Sequence, residues 1–196
     1  MIEHKLFPTF VGEFDLRSKV NPQLLYNELV KIETKEHSLL EGDAKSSYDL
    51  NKEFLLDTDV PLIAKLKTAI QESINEYVER IGLLPTTISN SWYSIMNKGS
   101  SLKFHRHEAS VISGAYYPKV PDGSVGLSFA SPLEIYRMAE LHNQITEYNC
   151  AEVSVPAQEG FLYIFPSWLK HGSGVNKVDN RMVVSFNTLN IPGEKH

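Results

Sequence analysis

From residue 87 to 189 the chain is a succession of short β-branched and aromatic runs parted by Gly, Pro, Asn and Asp, and this texture constrains the fold more than any other feature. The runs cover residues 88–96, 102–107, 111–117, 126–129, 152–155, 161–165 and 182–189. Seven short strands at this spacing predict a sandwich or jelly roll. Between two of them, residues 132–145 carry Leu133, Tyr136, Met138 and Leu141, which predicts a short helix or an ordered insertion with His142 exposed.

Ahead of this region the pattern is different. Residues 6–16, L-F-P-T-F-V-G-E-F-D-L, place Phe, Val and Leu around Pro8 and Gly12, as in a bulged edge strand bordering a larger sheet. Asn21-Pro22 joins a capping side chain to a proline at the first helical position, and Leu25, Leu29 and Ile32 follow at helical spacing. That helix is predicted to end near Lys35. Residues 38–52 are polar without periodicity and predict a surface loop. Asp59 is the expected cap of the strongest helix, whose Val60, Ile63, Leu66, Ile70, Ile74, Tyr77 and Ile81 form one apolar stripe ending at Gly82. Such a stripe packs on a sheet. The expectation is one domain over 1–196, mainly β, with an N-terminal strand and supporting helices in 1–86 and the β core in 87–190.

Composition excludes several classes. With 196 residues, 42% hydrophobic and 22% charged, the chain resembles a soluble domain with a sizeable core. A net charge of −5 with scattered basic residues lacks the footprint of a nucleic-acid binder. Cys150 is the only cysteine, and the start M-I-E-H-K-L-F has no basic region leading into an apolar signal core. A reducing, cytoplasmic setting is the expectation. No apolar run approaches the ~20 residues needed to span a bilayer. The expected partner is a small-molecule or protein substrate, and a homodimer is left open.

The chemistry concentrates in F-H-R-H at 104–107. Side chains at i and i+2 of a strand share a face, so His105 and His107 converge and can grip one metal. His171 arrives after the apolar run 161–165, and a jelly roll brings it back toward the pair. Unpaired imidazoles on an inner face cost desolvation, which metal ligation offsets. His4, His37, His142 and His196 have no such company and read as surface or packing residues. No H-E-x-x-H, phosphate-cradling glycine loop, nucleophile elbow or cysteine pair competes with the histidines.

The ordered set H-x-H, S-G-A-Y-Y-P at 113–118, G-L-S-F at 126–129, G-F-L-Y-I-F-P-S-W-L-K-H at 160–171 and R-M-V-V-S-F-N at 181–187 resembles a family of bacterial and phage proteins classed with the Fe(II)/2-oxoglutarate-dependent oxygenases. The resemblance spans roughly 88–190. It implies a double-stranded β-helix with helices packed behind it. Fe(II) and 2-oxoglutarate are the implied cofactors. By position the superfamily's iron triad falls on His105, His107 and His171, and its cosubstrate arginine falls on Arg181. One position departs: where the superfamily carries a carboxylate this chain has His107, which adds one positive charge to the site. Glu108 is adjacent, but strand alternation sends it to the opposite face.

A guanidinium is suited to the far carboxylate of a dicarboxylate, because it donates two charge-assisted hydrogen bonds in a planar fork. Alternation puts Arg181, Val183, Ser185 and Asn187 on one face, so Ser185 can lend its hydroxyl to the same carboxylate. The bland alternative for Arg181 is a surface ion pair with Asp179 or Glu159. Tyr116 or Tyr117, and Ser94 or Tyr93, are weaker candidates for the pocket wall, while Trp92 and Trp168 read as core. The function these residues predict is hydroxylation of a substrate that the sequence does not specify, with release of succinate and CO2. Two alternatives stand beside it: a cupin-like metal-binding or sensor module without turnover, and a three-histidine dioxygenase that takes no 2-oxoglutarate.

Overall fold

A computed structural model of the chain describes residues 2, 6–48, 54–133, 136, 137 and 139–190. Eleven strands form two antiparallel sheets, in agreement with the predicted jelly-roll class. The larger sheet orders β1 (Gly12–Asp15), β9 (Phe161–Pro166), β6 (Ile112–Lys119), β11 (Arg181–Asn190), β4 (Thr86–Met96) and β3 (Ala44–Ser46). The smaller orders β2 (Leu40–Glu41), β5 (Ser101–His105), β10 (His171–Ser173), β7 (Leu127–Ala130) and β8 (Glu152–Val155). All seven predicted runs are strands. β10 was not legible, because three residues leave no period to read.

Alternation along the larger sheet creates two cores. Ile112, Tyr116, Leu162, Ile164, Met182, Val184 and Phe186 face the helices, while Ala115, Tyr117, Tyr163, Phe165 and Val183 face the smaller sheet, where Leu127 and Phe129 meet them. Helix α2 (Pro61–Ile81) lies against β4 and β9 and buries Ile63, Leu66, Ile70, Ile74 and Tyr77, the stripe its sequence predicts. Each such side chain contributes roughly 1.5–3 kcal/mol on burial. Gly82 closes the helix at φ 71°, a left-handed conformation that glycine adopts without a Cβ penalty.

The helix ends differ from expectation in two places. Asn21 caps α1 (Pro22–Leu29) as predicted, its Oδ1 accepting from Leu24 N at 3.0 Å, but the helix stops at Leu29 and not near Lys35. The next residues turn toward β3, where Lys35 and Ser46 exchange backbone hydrogen bonds. For α2 the N-cap is Val60, without a side-chain bond, and Pro61 opens the helix, so Asp59 is not the cap. Proline's fixed φ starts the helix here with no acceptor from a side chain.

The segment predicted as a surface loop over 38–52 is largely structured. β2 pairs with β5 and β3 pairs with β4, so this segment joins the edges of both sheets on one side; residues 49–52 of the predicted loop lie outside the described residues. Its paired backbone is set by neighbouring edges that are distant in sequence. β1 is an edge strand on β9, as its Pro and Gly content predicted. Between β7 and β8 the described residues form turns, with His142 exposed as expected and Met138 outside the described residues. Among the described residues no helix is long and apolar enough to cross a membrane.

Candidate metal centre

His105 is the last residue of β5 and His171 the first of β10, and the two are direct register partners across the ladder. His107 lies two residues beyond the end of β5, so the pair is not carried on one strand as the sequence suggested. Its backbone N–H donates to Ser167 O at 3.0 Å, which holds the loop after β5 against the loop that leads into β10. The potential ligand atoms of the three histidines all lie within 4.8 Å of one another. Ring centroids are 4.9 Å apart for His105–His107, 4.4 Å for His105–His171 and 5.3 Å for His107–His171.

Two of the rings are locked in orientation. Nδ1 of His105 is 2.9 Å from Lys103 O, and Nδ1 of His171 is 2.9 Å from Leu169 O. A carbonyl can only accept, so both rings carry the proton on Nδ1 and leave Nε2 with a bare lone pair. Burial drives all three rings toward the neutral form. Desolvation lowers the His107 pKa to about 4 and that of His171 to about 3, with His105 adding repulsion in both, and it lowers that of His105 as well. Neutral imidazoles are what a divalent metal requires.

The histidines open into a cavity of about 60 Å³, several times what one water needs. Ser94, Tyr117, Arg181 and Ser185 line it too. Arg181 is 2% exposed. Its Nε donates to Val125 O at 2.8 Å, Nη1 to Met96 Sδ at 3.0 Å and Nη2 to the Tyr117 hydroxyl at 3.4 Å, and the guanidinium sits 5.1 Å from the Tyr117 ring centroid. The surface ion pair with Asp179 or Glu159 does not form. Asp179 accepts from Lys98 N, and Glu159 accepts from Val120 N and lies 3.6 Å from Lys119. Among the described residues no carboxylate reaches Arg181, so burial lowers its pKa and raises that of Tyr117 with only the hydroxyl and ring to offset it.

Several predicted residues are corrected by side-chain direction. Of the two tyrosines, Tyr117 faces the cavity; Tyr116 points to the helices, 0% exposed in the other core. Of Ser94 and Tyr93, Ser94 faces the cavity and Tyr93 turns away to donate to Ile32 O at 2.7 Å. Glu108 is exposed at a turn, apart from the histidine group. Trp92 is half-buried in the cavity wall, with its ring 6.1 Å from that of His107, and Trp168 is 52% exposed; neither is core. His37, read as a surface or packing residue, is packed edge-on to Tyr48 and also lines the cavity; desolvation lowers its pKa. His4 and His196 lie outside the described residues. Met96, Asn187 and His37 were missed as site residues because nothing in their local sequence marks them.

The family model described as "Putative 2OG-Fe(II) oxygenase" matches residues 90–187, half of the chain, and the matched stretch contains every residue named in the histidine and arginine groups. The chain belongs to this family. As a 2OG-Fe(II) oxygenase it takes Fe(II) and 2-oxoglutarate as cofactors. Solved structures of the same fold include a viral collagen prolyl hydroxylase from Paramecium bursaria Chlorella virus-1 in complex with 2OG, at 12% identity and TM-score 0.60, covering 92% of this chain and 96% of that one. HygX from Streptomyces hygroscopicus, with nickel and 2-oxoglutarate bound, is similar at 10% identity and TM-score 0.62 over 94% and 84% of the two chains. The epimerase SnoN from nogalamycin biosynthesis is similar at 11% identity and TM-score 0.66 over 93% and 79%. These likenesses are of fold. No curated protein matches the sequence.

The donor set of this 2OG-Fe(II) oxygenase suits both cofactors. Three desolvated, neutral imidazoles with converging nitrogens are a ligand set for a borderline divalent ion. A buried guanidinium that lacks an acid is a counter-charge for a carboxylate.

Proposed function

We propose that His105, His107 and His171 hold Fe(II), that Arg181 holds the far carboxylate of 2-oxoglutarate, and that the enzyme hydroxylates a substrate with release of succinate and CO2. The observation that carries this reading is the burial of Arg181, without an acidic partner among the described residues, in the same cavity as the histidines. A lone buried cation is costly, and a carboxylate held at Arg181 would offset that cost. When bound, the metal and cosubstrate supply oxygen activation coupled to oxidative decarboxylation, which the side chains cannot perform.

The chain's own residues bind, orient and keep out water. The carbonyls of Lys103 and Leu169 fix two imidazoles with Nε2 toward the cavity. Tyr117 and Val125 O aim the guanidinium fork. Ser185 and Ser94 line the space between these two ends and offer hydroxyls to a carboxylate. Leu127, Phe165 and Val183 dry the cavity, which strengthens each charged contact in it. His37 and Trp92 line the cavity as well, and the substrate's approach along them is part of the proposal. Fe(II) chemistry and the single cysteine fit a reducing, cytoplasmic setting.

The test is succinate release. Purified protein given Fe(II), 2-oxoglutarate and oxygen is expected to form succinate slowly without a substrate, and Arg181→Ala is expected to need far more 2-oxoglutarate for the same rate. No succinate from metal-loaded wild type would remove the oxygenase assignment from this site.

A further inference from the structure

Behind His107 stands a row of buried polar groups. Ser167 Oγ is 2.8 Å from Ser113 Oγ, Ser113 Oγ donates to Asn187 Oδ1 at 2.7 Å, and Asn187 Nδ2 is 3.5 Å from His107 Nδ1. Ser113 is 2% exposed, Ser167 0% and Asn187 3%, so water does not serve these atoms. The row draws on β6, β11 and the loop between β9 and β10. Because His107 N also donates to Ser167 O, the same loop touches the histidine's backbone and the far end of the row.

His107 differs in this from its two companions. Behind His105 and His171 stand carbonyls, which only accept, so their Nε2 atoms are permanently bare. Behind His107 stands a primary amide, which offers a donor at one end and an acceptor at the other. With the NH2 end toward it, Nδ1 must be bare, and a neutral ring then carries its proton on Nε2, where a metal would need the lone pair. With the amide turned over, Oδ1 accepts from Nδ1–H and Nε2 becomes bare.

The geometry points to Asn187 as a positioning residue whose amide reversal converts His107 from a hydrogen-bonded bystander into a metal ligand. In the first state Ser167 donates to Ser113, Ser113 to Asn187 Oδ1, and Asn187 Nδ2 to His107 Nδ1. In the second state His107 Nδ1–H donates to Asn187 Oδ1, Asn187 Nδ2 to Ser113 Oγ, and the Ser113 hydroxyl to Ser167 Oγ. Every group in the row keeps a partner in both. The ring stays neutral: it gives the Nε2 proton to water and takes one from water at Nδ1. The site therefore has two ligands poised in advance and one recruited by the metal, and the pocket behind His107 is the only one of the three built to reverse. This rests on the reading of the three histidines as the metal site.

The experiment uses the full chain labelled with 15N at histidine, free and loaded with Zn(II) as a diamagnetic probe. Imidazole 15N shifts are expected to show His107 protonated at Nε2 in the free protein and at Nδ1 with Zn(II), while His105 and His171 carry the Nδ1 proton throughout. Asn187→Asp offers acceptors only, so His107 is expected to hold the Nδ1 proton already in the free protein and Zn(II) to bind more tightly. Asn187→Leu is expected to weaken Zn(II) about ten- to a hundredfold, the range for loss of a group that orients a ligand. Should the leucine variant fail to fold, the aspartate variant, close in size and polarity, carries the test. Nδ1 protonation of His107 in the free wild type, or an aspartate variant with the wild-type proton pattern, overturns the inference while leaving the metal site standing. Absence of Zn(II) binding by wild type overturns the metal site itself, and the inference with it.

Discussion

His171 stands directly opposite His105 across the β5–β10 ladder, so two imidazoles from positions 66 residues apart are brought to one cavity by one register. Between them the fit is tight at Gly172, where an added Cβ would lie 2.8 Å from Leu102 O and 3.1 Å from Phe104 Cα. Both neighbours are backbone and cannot swing aside. Gly172→Ala is expected to push β10 from β5 and weaken Fe(II) binding in equilibrium dialysis, while His105→Ala and His171→Ala are expected to abolish stoichiometric binding. One bound Fe(II) per chain in both histidine variants would place the metal elsewhere.

Arg181 gives a prediction of opposite signs in one variant. Replacing it by Met removes a buried charge that has no acid beside it, and the change is expected to be neutral or stabilising within the range of about 1–4 kcal/mol known for apolar replacement of buried ion pairs. The loss of its bond to Val125 O places the expectation at the low end. Affinity for 2-oxoglutarate is expected to fall by roughly 2–4 kcal/mol, the scale for truncating one side of a buried charge pair. Thermal melting and isothermal titration on the same sample check both halves; unchanged cosubstrate affinity would return Arg181 to a purely structural role.

At His107 the structure separates two models. His107→Asp is expected to retain Fe(II), since aspartate brings an oxygen ligand and a negative charge to the same loop position. His107→Ala is expected to lose most affinity. Glu108→Ala is expected to bind as wild type does, because Glu108 is exposed at the following turn. A damaging Glu108 change with a mild His107 change would reverse the assignment.

Burial of the histidines carries a pH signature in the metal-free protein. His107 and His171 have native pKa values near 4 and 3, below the ~6.5 of an unfolded histidine, so as pH falls the unfolded chain takes up protons first. Stability is then full above about pH 6.5 and is lost progressively toward pH 4. The slope is about 1.4 kcal/mol per pH unit for each such group. Urea unfolding at pH 7 and pH 5 is expected to differ by roughly 2–4 kcal/mol, and His171→Phe is expected to shrink the difference. An unchanged midpoint between the two pH values would show that these rings are not held neutral.

The strand-rich core, the stripe on α2 and the residue types that gather in the cavity, three imidazoles and a guanidinium, were legible in the chain's own pattern. Those rest on local rules: period-two runs, period-3.6 stripes, and residue types that chemistry requires. What depends on pairing between distant segments has no such local signal. The residues 38–46 became sheet edges because β4 and β5 offered unpaired backbone, and no feature of their own composition records that. Tyr117 was separated from Tyr116, and Ser94 from Tyr93, by which face of each strand met the smaller sheet; alternation states that neighbours part but not which way. Trp92 became a cavity wall and Trp168 a surface residue for the same reason, since hydrophobicity measures transfer from water and not position. The row behind His107 joins residues 113, 167 and 187, and its existence depends on two strands and a loop arriving at one point with their polar atoms in register, which is a property of the packed chain alone.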